Sequence, residues 1–255
     1  MSYDIIGDIH GQADKLVNLL EKMGYTLHGK VWNHPSRQVI FVGDFIDRGL
    51  QQLETVKIAR SMVNAGAALA VLGNHELNAI AWHTPHPERQ GEYLRSHLRP
   101  NNRHQHEAFL NEVEHLPEIH KDIIDWFLTL PLWLDLPDIR IVHACWHQQF
   151  MDFLRPYLTK DNCIPLALML DATTENLADK DTATPSIFKA VEAICKGVEI
   201  TLPQGHTFTD KDGHERHRVR TRWWDTSAVS YLRQQYFLKQ NDKVFPIYRF
   251  QNTHT

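Results

Sequence analysis

Apolar positions in the first 82 residues follow two alternating rhythms. Short apolar runs, Ser2–Ile6, Val39–Val42 and Ala67–Leu72, each stop at a glycine, Gly7, Gly43 and Gly73. Runs of that length closed by glycine read as buried strands. Between them the spacing becomes helical. Ala13–Met23 puts Leu16, Val17, Leu19, Leu20 and Met23 on one side and closes at Gly24, while Leu53–Val63 turns Leu53, Val56 and Ile58 toward a core. Asn74–Trp82 opens a third helix. Strand and helix repeated three times predict parallel strands joined by right-handed crossovers. Sheets of that kind gather ligands beyond the carboxyl ends of their strands.

Beyond residue 82 the pattern loosens. His83–Arg103 is rich in charge, proline and glycine and reads as loop; Glu107–Leu116 and Ile119–Leu130 read as helices. Together they predict a helical cap segment over about 83–130. Pro131–Leu136 and Ile139–His143 pair as short strands around Pro137-Asp138, and Ile164–Asp181 fits either period. Thr184-Pro185 starts a helix as N-cap and N1, and Gly197 ends it. After Thr207 the period becomes two. Asp210-Lys211-Asp212-Gly213 is a turn, and Arg216, Arg218, Arg220 and Arg222 alternate with His217, Val219, Thr221 and Trp223, which predicts a basic β-hairpin over about 206–224. Trp223-Trp224 reads as core. No repeat, low-complexity tract or linker divides the chain, so 1–255 is expected to form a single domain.

Composition narrows the classes. The chain is 42% hydrophobic and 23% charged with a net charge of −4, which suits a globular core and gives no global cationic field for nucleic acid. No apolar run approaches the ~20 residues of a membrane span. No basic stretch precedes Gly7, so no signal peptide is expected. Cys145, Cys163 and Cys195 are widely spaced and odd in number, which fits reduced thiols in a cytoplasmic setting. Many of the 17 histidines lie in Trp82–His120 and His206–His217, and most of them read as polar surface.

The chemistry lies in the segments just after the three strands: Gly7-Asp8-Ile9-His10-Gly11, Gly43-Asp44-Phe45-Ile46-Asp47-Arg48-Gly49 and Gly73-Asn74-His75-Glu76. Asp8 and His10, two residues apart in an extended turn with glycines at 7 and 11, can reach one metal. Asp44 can bridge two metals, and Asn74 offers an amide oxygen to the second. Such a pair acidifies a shared water, and the bridging hydroxide attacks phosphorus in line with the leaving group. His75 oriented by Asp47 can protonate the leaving oxygen. Arg48 presents a planar fork to two phosphate oxygens. The Arg216–Arg222 stripe reads as a solvated edge or as a platform for a polyanion.

GDIHGQ, GDFIDRG and GNHE resemble the three signature motifs of the calcineurin-like metallophosphoesterases. The Asp-Arg-Gly and Asn-His-Glu endings are similar to the phosphoprotein phosphatase branch, which includes serine/threonine phosphatases and symmetrical diadenosine tetraphosphatases. The resemblance is strong to about residue 150. It implies an α/β fold, a calcineurin-like αββα sandwich of two packed mixed β-sheets flanked by helices. It implies metal ligands Asp8, His10, Asp44 and Asn74, a catalytic pair His75 and Asp47, and phosphate binding by Arg48. It adds His143, in Ile141-Val142-His143-Ala144, and a last histidine in a Gly-His pair. Gly205-His206 has that form; in relatives sharing the Asp-Lys-Asp-Gly and Arg-Trp-Trp segments the ligand comes later, in a longer C-terminal part, so two expectations stay open, His206 as the last ligand or a missing C-terminal ligand segment. The expected activity is dinuclear-metal-dependent hydrolysis of a phosphate monoester or phosphoanhydride, with Mn²⁺ first and Fe or Zn as alternatives. The substrate is a phosphoprotein, a nucleotide polyphosphate such as a diadenosine polyphosphate, or a nucleic-acid end. Without the last donor, the same scaffold becomes a weakly active remnant that binds phosphate or regulates. Oligomeric state is not readable.

Overall fold

The structure is a computed structural model in which residues 2–175, 184–209, 213 and 215–224 are described. The first unit, Met1–Lys196, opens with β1 (Ser2–Ile6), α1 (Ala13–Lys22), β2 (Thr26–His28), β3 (Val31–Asn33), β4 (Arg37–Phe41), α2 (Gln52–Asn64), β5 (Ala68–Ala70) and α3 (Asn74–His83). The strands β1, β4 and β5 form one parallel sheet with β4 in the middle; Ile6 sits beside Phe41 and Phe41 beside Ala70. All three carboxyl ends therefore lie on one edge.

Alternation along β4 sends its side chains to two faces. Val39 and Phe41, fully buried, join Leu16 and Leu20 of α1 and Val56, Ala59 and Met62 of α2 in the main core. Ile40 faces the other way. The chain continues through α4 (Pro100–Val113) and α5 (Pro117–Phe127) to β6 (Trp133–Leu136) and β7 (Ile139–Val142), an antiparallel pair. Ile141 of that pair packs on Ile40 and Val71, with Leu134, Leu136 and Ile139 around them. Each such fully buried apolar side chain contributes roughly 1.5–3 kcal/mol. The hairpin thus covers the sheet face that α1 and α2 leave open, and brings the end of β7 to the same edge. The short helices α6 (Gln148–Leu154) and α7 (Met169–Thr173), then α8 (Ile187–Lys196), follow. The architecture is mixed α/β, with small parallel and antiparallel sheets.

Some expectations shift. Leu19 does not share the buried side of α1 but is 41% exposed. Helix α4 starts at Pro100 rather than at Glu107, with proline in its first turn where no amide donor is needed. Ser186, not Thr184, caps α8, its Oγ accepting from Lys189 N at 3.3 Å. The β2–β3 hairpin carries no signal in the apolar pattern. Not all the histidines of Trp82–His120 are surface groups: His106 and His120 are buried. The three cysteines are buried.

The second unit is Gly197–Thr255. Its described strands are β8 (Glu199–Thr201), β9 (Phe208–Thr209), β10 (Glu215–Arg216) and β11 (Arg218–Arg220). The pairs are β9 with β10 and β8 with β11, Val219 lying opposite Ile200. The expected hairpin is thus split between two partners, and most of its turn, 210–212, lies outside the described residues. Arg218 and Arg220 both approach Glu199, at 3.9 and 3.8 Å, so one carboxylate offsets part of the basic face. Trp223 and Trp224 are exposed rather than core. No helix among the described residues is long and apolar enough to cross a membrane.

Candidate metal centre

Backbone strain marks the sheet edge first. His10, Asp44, Asp47 and Arg48 adopt left-handed φ values of 51°, 52°, 70° and 69°. A non-glycine residue held there costs on the order of 1–3 kcal/mol and persists only where its surroundings over-determine it. Here the surroundings are backbone contacts. Asp44 O accepts from Ile9 N and His10 N, at 3.0 and 2.9 Å, and Phe45 O accepts from Gly11 N at 2.7 Å. The loops after β1 and β4 are therefore stitched together. The approach of Asp8 to His10 comes from this left-handed turn, not from an extended one. Gly43 and Gly73 let the second and third loops touch: a Cβ on Gly73 would stand 2.4 Å from both N and Oδ1 of Asp44.

Glu76 locks the same junction. Its buried carboxylate accepts from Asp44 N and Phe45 N, both at 2.8 Å, and from Gly73 N at 3.2 Å. Burial and then the charge of Asp44 push its carboxyl up to about 8, while the histidine and backbone donors pull it back. The capping position N3 of α3 was the available signal for this residue.

On that frame the side chains converge. One group is His10, Asp44 and His75; another is Asp8, Asp44 and His143; within each, one donor atom per residue lies within 4.8 Å of the others. Asp44 is common to both. His10 Nδ1 donates to Ile46 O at 2.8 Å, which leaves the Nε2 lone pair facing Asp8 Oδ2 at 3.7 Å and Asp44 Oδ2 at 3.8 Å. That nitrogen is buried without a hydrogen-bond partner among the described residues. Burial lowers the His10 pKa against the pull of the Ile46 hydrogen bond, so the ring is held neutral. A bare lone pair turned toward two carboxylates is an arrangement that a divalent cation satisfies. His143, just past β7, donates through Nδ1 to Val42 O at 2.5 Å, and its Nε2 lies 3.2 Å from Asn74 Oδ1 and 3.6 Å from Asp44 Oδ1. These donors fit divalent cations in number and kind.

A second chemistry adjoins the first. His75 Nδ1 donates to Asp47 Oδ2 at 2.6 Å, and its Nε2 lies 3.8 Å from Asp44 Oδ2. Burial opposes the charged ring, but the Asp47 hydrogen bond and the charges of Asp44, Asp47 and Glu76 outweigh it and raise the His75 pKa. His75 is thereby set up to carry a proton, unlike His10. Arg48 is exposed beside this loop.

Asp8, His10, Asp44, Asn74, His75, Asp47 and His143 thus meet at one edge. His206 stands in neither group; it belongs to the second unit, where its amide donates to Pro203 O at 3.0 Å. The sequence pattern did not single out Glu76, Gln52 or His106. Gln52 is fully buried, and its Oε1 accepts from Asp47 N at 2.7 Å.

A family model described as calcineurin-like phosphoesterase matches residues 1–166. The asymmetrical bis(5′-nucleosyl)-tetraphosphatase PrpE of Halalkalibacterium halodurans is 43% identical over 76 residues, 29% of this chain and 31% of that protein. Its counterpart in a Geobacillus species is 46% identical over 76 residues, with the same two shares. The chain therefore spans only about a third of the length of the curated relatives it matches. Among solved structures, a cold-active protein-tyrosine phosphatase of a Shewanella species is 16% identical, with a TM-score of 0.43 over 71% of this chain and 53% of that one.

Proposed function

The chain belongs to the calcineurin-like phosphoesterases, a family of metal-dependent hydrolases, and from that premise we propose that it hydrolyses a phosphate monoester or phosphoanhydride at the edge shared by β1, β4, β5 and β7. The observation that carries this reading is the pair of donor groups that share Asp44, beside a histidine fixed by a carboxylate. In it, Asp8, His10 and Asp44 would hold one cation, and Asp44, Asn74 and His143 the other, with His206 proposed as a further donor. Divalent cations there, Mn²⁺ first and Fe or Zn next, would supply an activated water and neutralise charge on the phosphoryl oxygens.

The chain's own groups do the rest. Arg48 offers two parallel donors to the phosphoryl oxygens. His75 keeps its Nδ1 proton on Asp47, so Nε2 is the atom that passes a proton to the leaving oxygen. Asp47 stays ionised and keeps that tautomer in place, as an orienting carboxylate does beside a catalytic histidine. The same reading extends the sheet and hairpin into an αββα sandwich of two mixed sheets.

Substrate choice is guided by the names of the relatives: a dinucleoside polyphosphate is favoured over a phosphoprotein or a nucleic-acid end. The test is metal analysis with product analysis on diadenosine tetraphosphate, a phosphopeptide and a 5′-phosphorylated oligonucleotide, side by side. Two metal equivalents per chain and metal-dependent turnover of at least one substrate support the enzyme. One equivalent or none, with no turnover, supports a phosphate-binding remnant instead.

A further inference from the structure

Asp47 has a second histidine. His106 Nδ1 lies 2.8 Å from Asp47 Oδ1, while His75 Nδ1 takes the other oxygen at 2.6 Å. His106 comes from α4, outside the three strand-end motifs, and is only 2% exposed. A buried imidazole is costly unless a hydrogen bond compensates it. Its other nitrogen, Nε2, has no partner among the described residues, so that compensation falls to Asp47. The ring is held by Phe109 and Trp82, with centroids 5.1 and 5.9 Å away.

The same helix fixes the backbone of that loop. Glu112, also on α4, accepts from Gln52 N at 2.7 Å and Leu53 N at 3.0 Å, filling the open donors at the start of α2. Gln52 in turn accepts from Asp47 N and donates to Gly49 O, both at 2.7 Å. Helix α4 thus reaches the Asp47 side chain directly and its strained backbone through one intermediate.

We propose that His106 is a positioning residue for general-acid chemistry: it anchors the Asp47 carboxylate, so that Asp47 holds His75 in the tautomer and direction from which Nε2 protonates the leaving oxygen. The inference rests on the general-acid reading of His75. With one donor on each oxygen, the carboxylate cannot rotate about its Cβ–Cγ bond without breaking a charge-assisted hydrogen bond. Burial pushes the Asp47 carboxyl up, but the His106 hydrogen bond and then that of His75 outweigh it and hold the group below its usual range. An ionised Asp47 accepts from both rings and donates to neither.

The test exploits leaving-group chemistry in the full-length, metal-loaded chain. An alkyl phosphate needs a proton on its departing oxygen; p-nitrophenyl phosphate releases a stable anion and hardly does. His106→Phe keeps a buried ring and removes the donor. The expected result is an alkyl phosphate kcat lowered about 10-fold or more, in the range for loss of an orienting partner, with p-nitrophenyl phosphate turnover little changed. His106→Asn, whose side-chain amide can replace the donor, should restore most of the difference. His75→Ala should show the same skew at larger size. A second readout is independent of turnover: the spectrum of the metal-free protein should contain downfield imidazole N–H protons from the His75 and His106 bonds to Asp47, and His106→Phe should remove the one from His106. Equal loss on both substrates, or none, in His106→Phe while His75→Ala stays skewed overturns the inference alone. An unskewed His75→Ala overturns the general-acid reading and the inference with it.

Discussion

His75 reaches Asp47 through Nδ1 and so turns Nε2 toward Asp44, 3.8 Å from its Oδ2. Distance alone would let His75 serve as a donor beside His10 and Asp44. The proposed function gives it the proton instead, with its pKa raised by the Asp47 hydrogen bond and the charges of Asp44, Asp47 and Glu76 against the opposing effect of burial. His75→Ala is therefore expected to retain both metal equivalents and lose about 10²–10⁴ in kcat on an alkyl phosphate, the range for a missing general acid. Elemental analysis and steady-state kinetics on one preparation check this, and a variant that arrives short of metal contradicts the assignment.

Gly73 and Gly7 should behave in opposite ways. A methyl at Gly73 would stand 2.4 Å from Asp44 N and Asp44 Oδ1 and 2.6 Å from Glu76 Oε2, whereas nothing lies within 4 Å of a methyl at Gly7. Gly73→Ala is expected to displace the shared ligand, with destabilisation of about 1–3 kcal/mol from overpacking and weakened metal binding. Gly7→Ala should stay near wild type. Denaturant unfolding and metal titration of the two variants decide the point; equal behaviour would show that the contact between the second and third loops is not what places Asp44.

His206 is the further donor proposed from the Gly205-His206 pair of the sequence. If it holds metal, His206→Ala lowers metal content or raises the metal concentration needed for half-maximal turnover by at least about 10-fold, the lower bound for losing even an outer-shell partner. Unchanged stoichiometry and unchanged activation remove it from the set.

How far the sequence discloses this site depends on the range of the signal. Asp8, His10, Asp44, Asn74 and His75 follow apolar strands directly, so a local pattern together with the rule for parallel sheets places them on one edge. The left-handed turn at His10 and the contact of Gly43 with Gly73 are invisible to that pattern, because both come from backbone approach between segments distant in the chain. His106 illustrates a different blindness. It occupies the first place of an apolar stripe with Phe109, Leu110 and Val113, all buried, and a polar residue in such a stripe is itself a signal. A helix taken to start at Glu107 hides it. The fate of the Arg stripe also depended on a distant partner, Glu199, on a strand the alternation did not foretell.

His120 gives a prediction about stability rather than catalysis. It occupies the same kind of position on α5, in a buried stripe with Ile123, Ile124 and Phe127, and its Nε2 has no partner among the described residues. Burial, then the neighbouring His83 and His106, lower its pKa to about 4. The unfolded chain, with an ordinary value near 6.5, binds the proton first. This contribution is therefore fully present above about pH 6.5 and is lost as pH falls from there through about 4. Burial lowers the pKa of His10, His83 and His147 as well, while that of His75 is raised, so the absolute slope mixes several groups. The clean quantity is the difference between wild type and His120→Phe, which keeps a ring against Phe109, 5.5 Å away between centroids, and removes the titration. Wild type should lose on the order of 1–3 kcal/mol more than the variant between pH 7 and pH 4.5. Denaturant midpoints at fixed slope, taken across that range, measure it, and parallel pH profiles would mean that His120 takes up its proton without opening the α5 core.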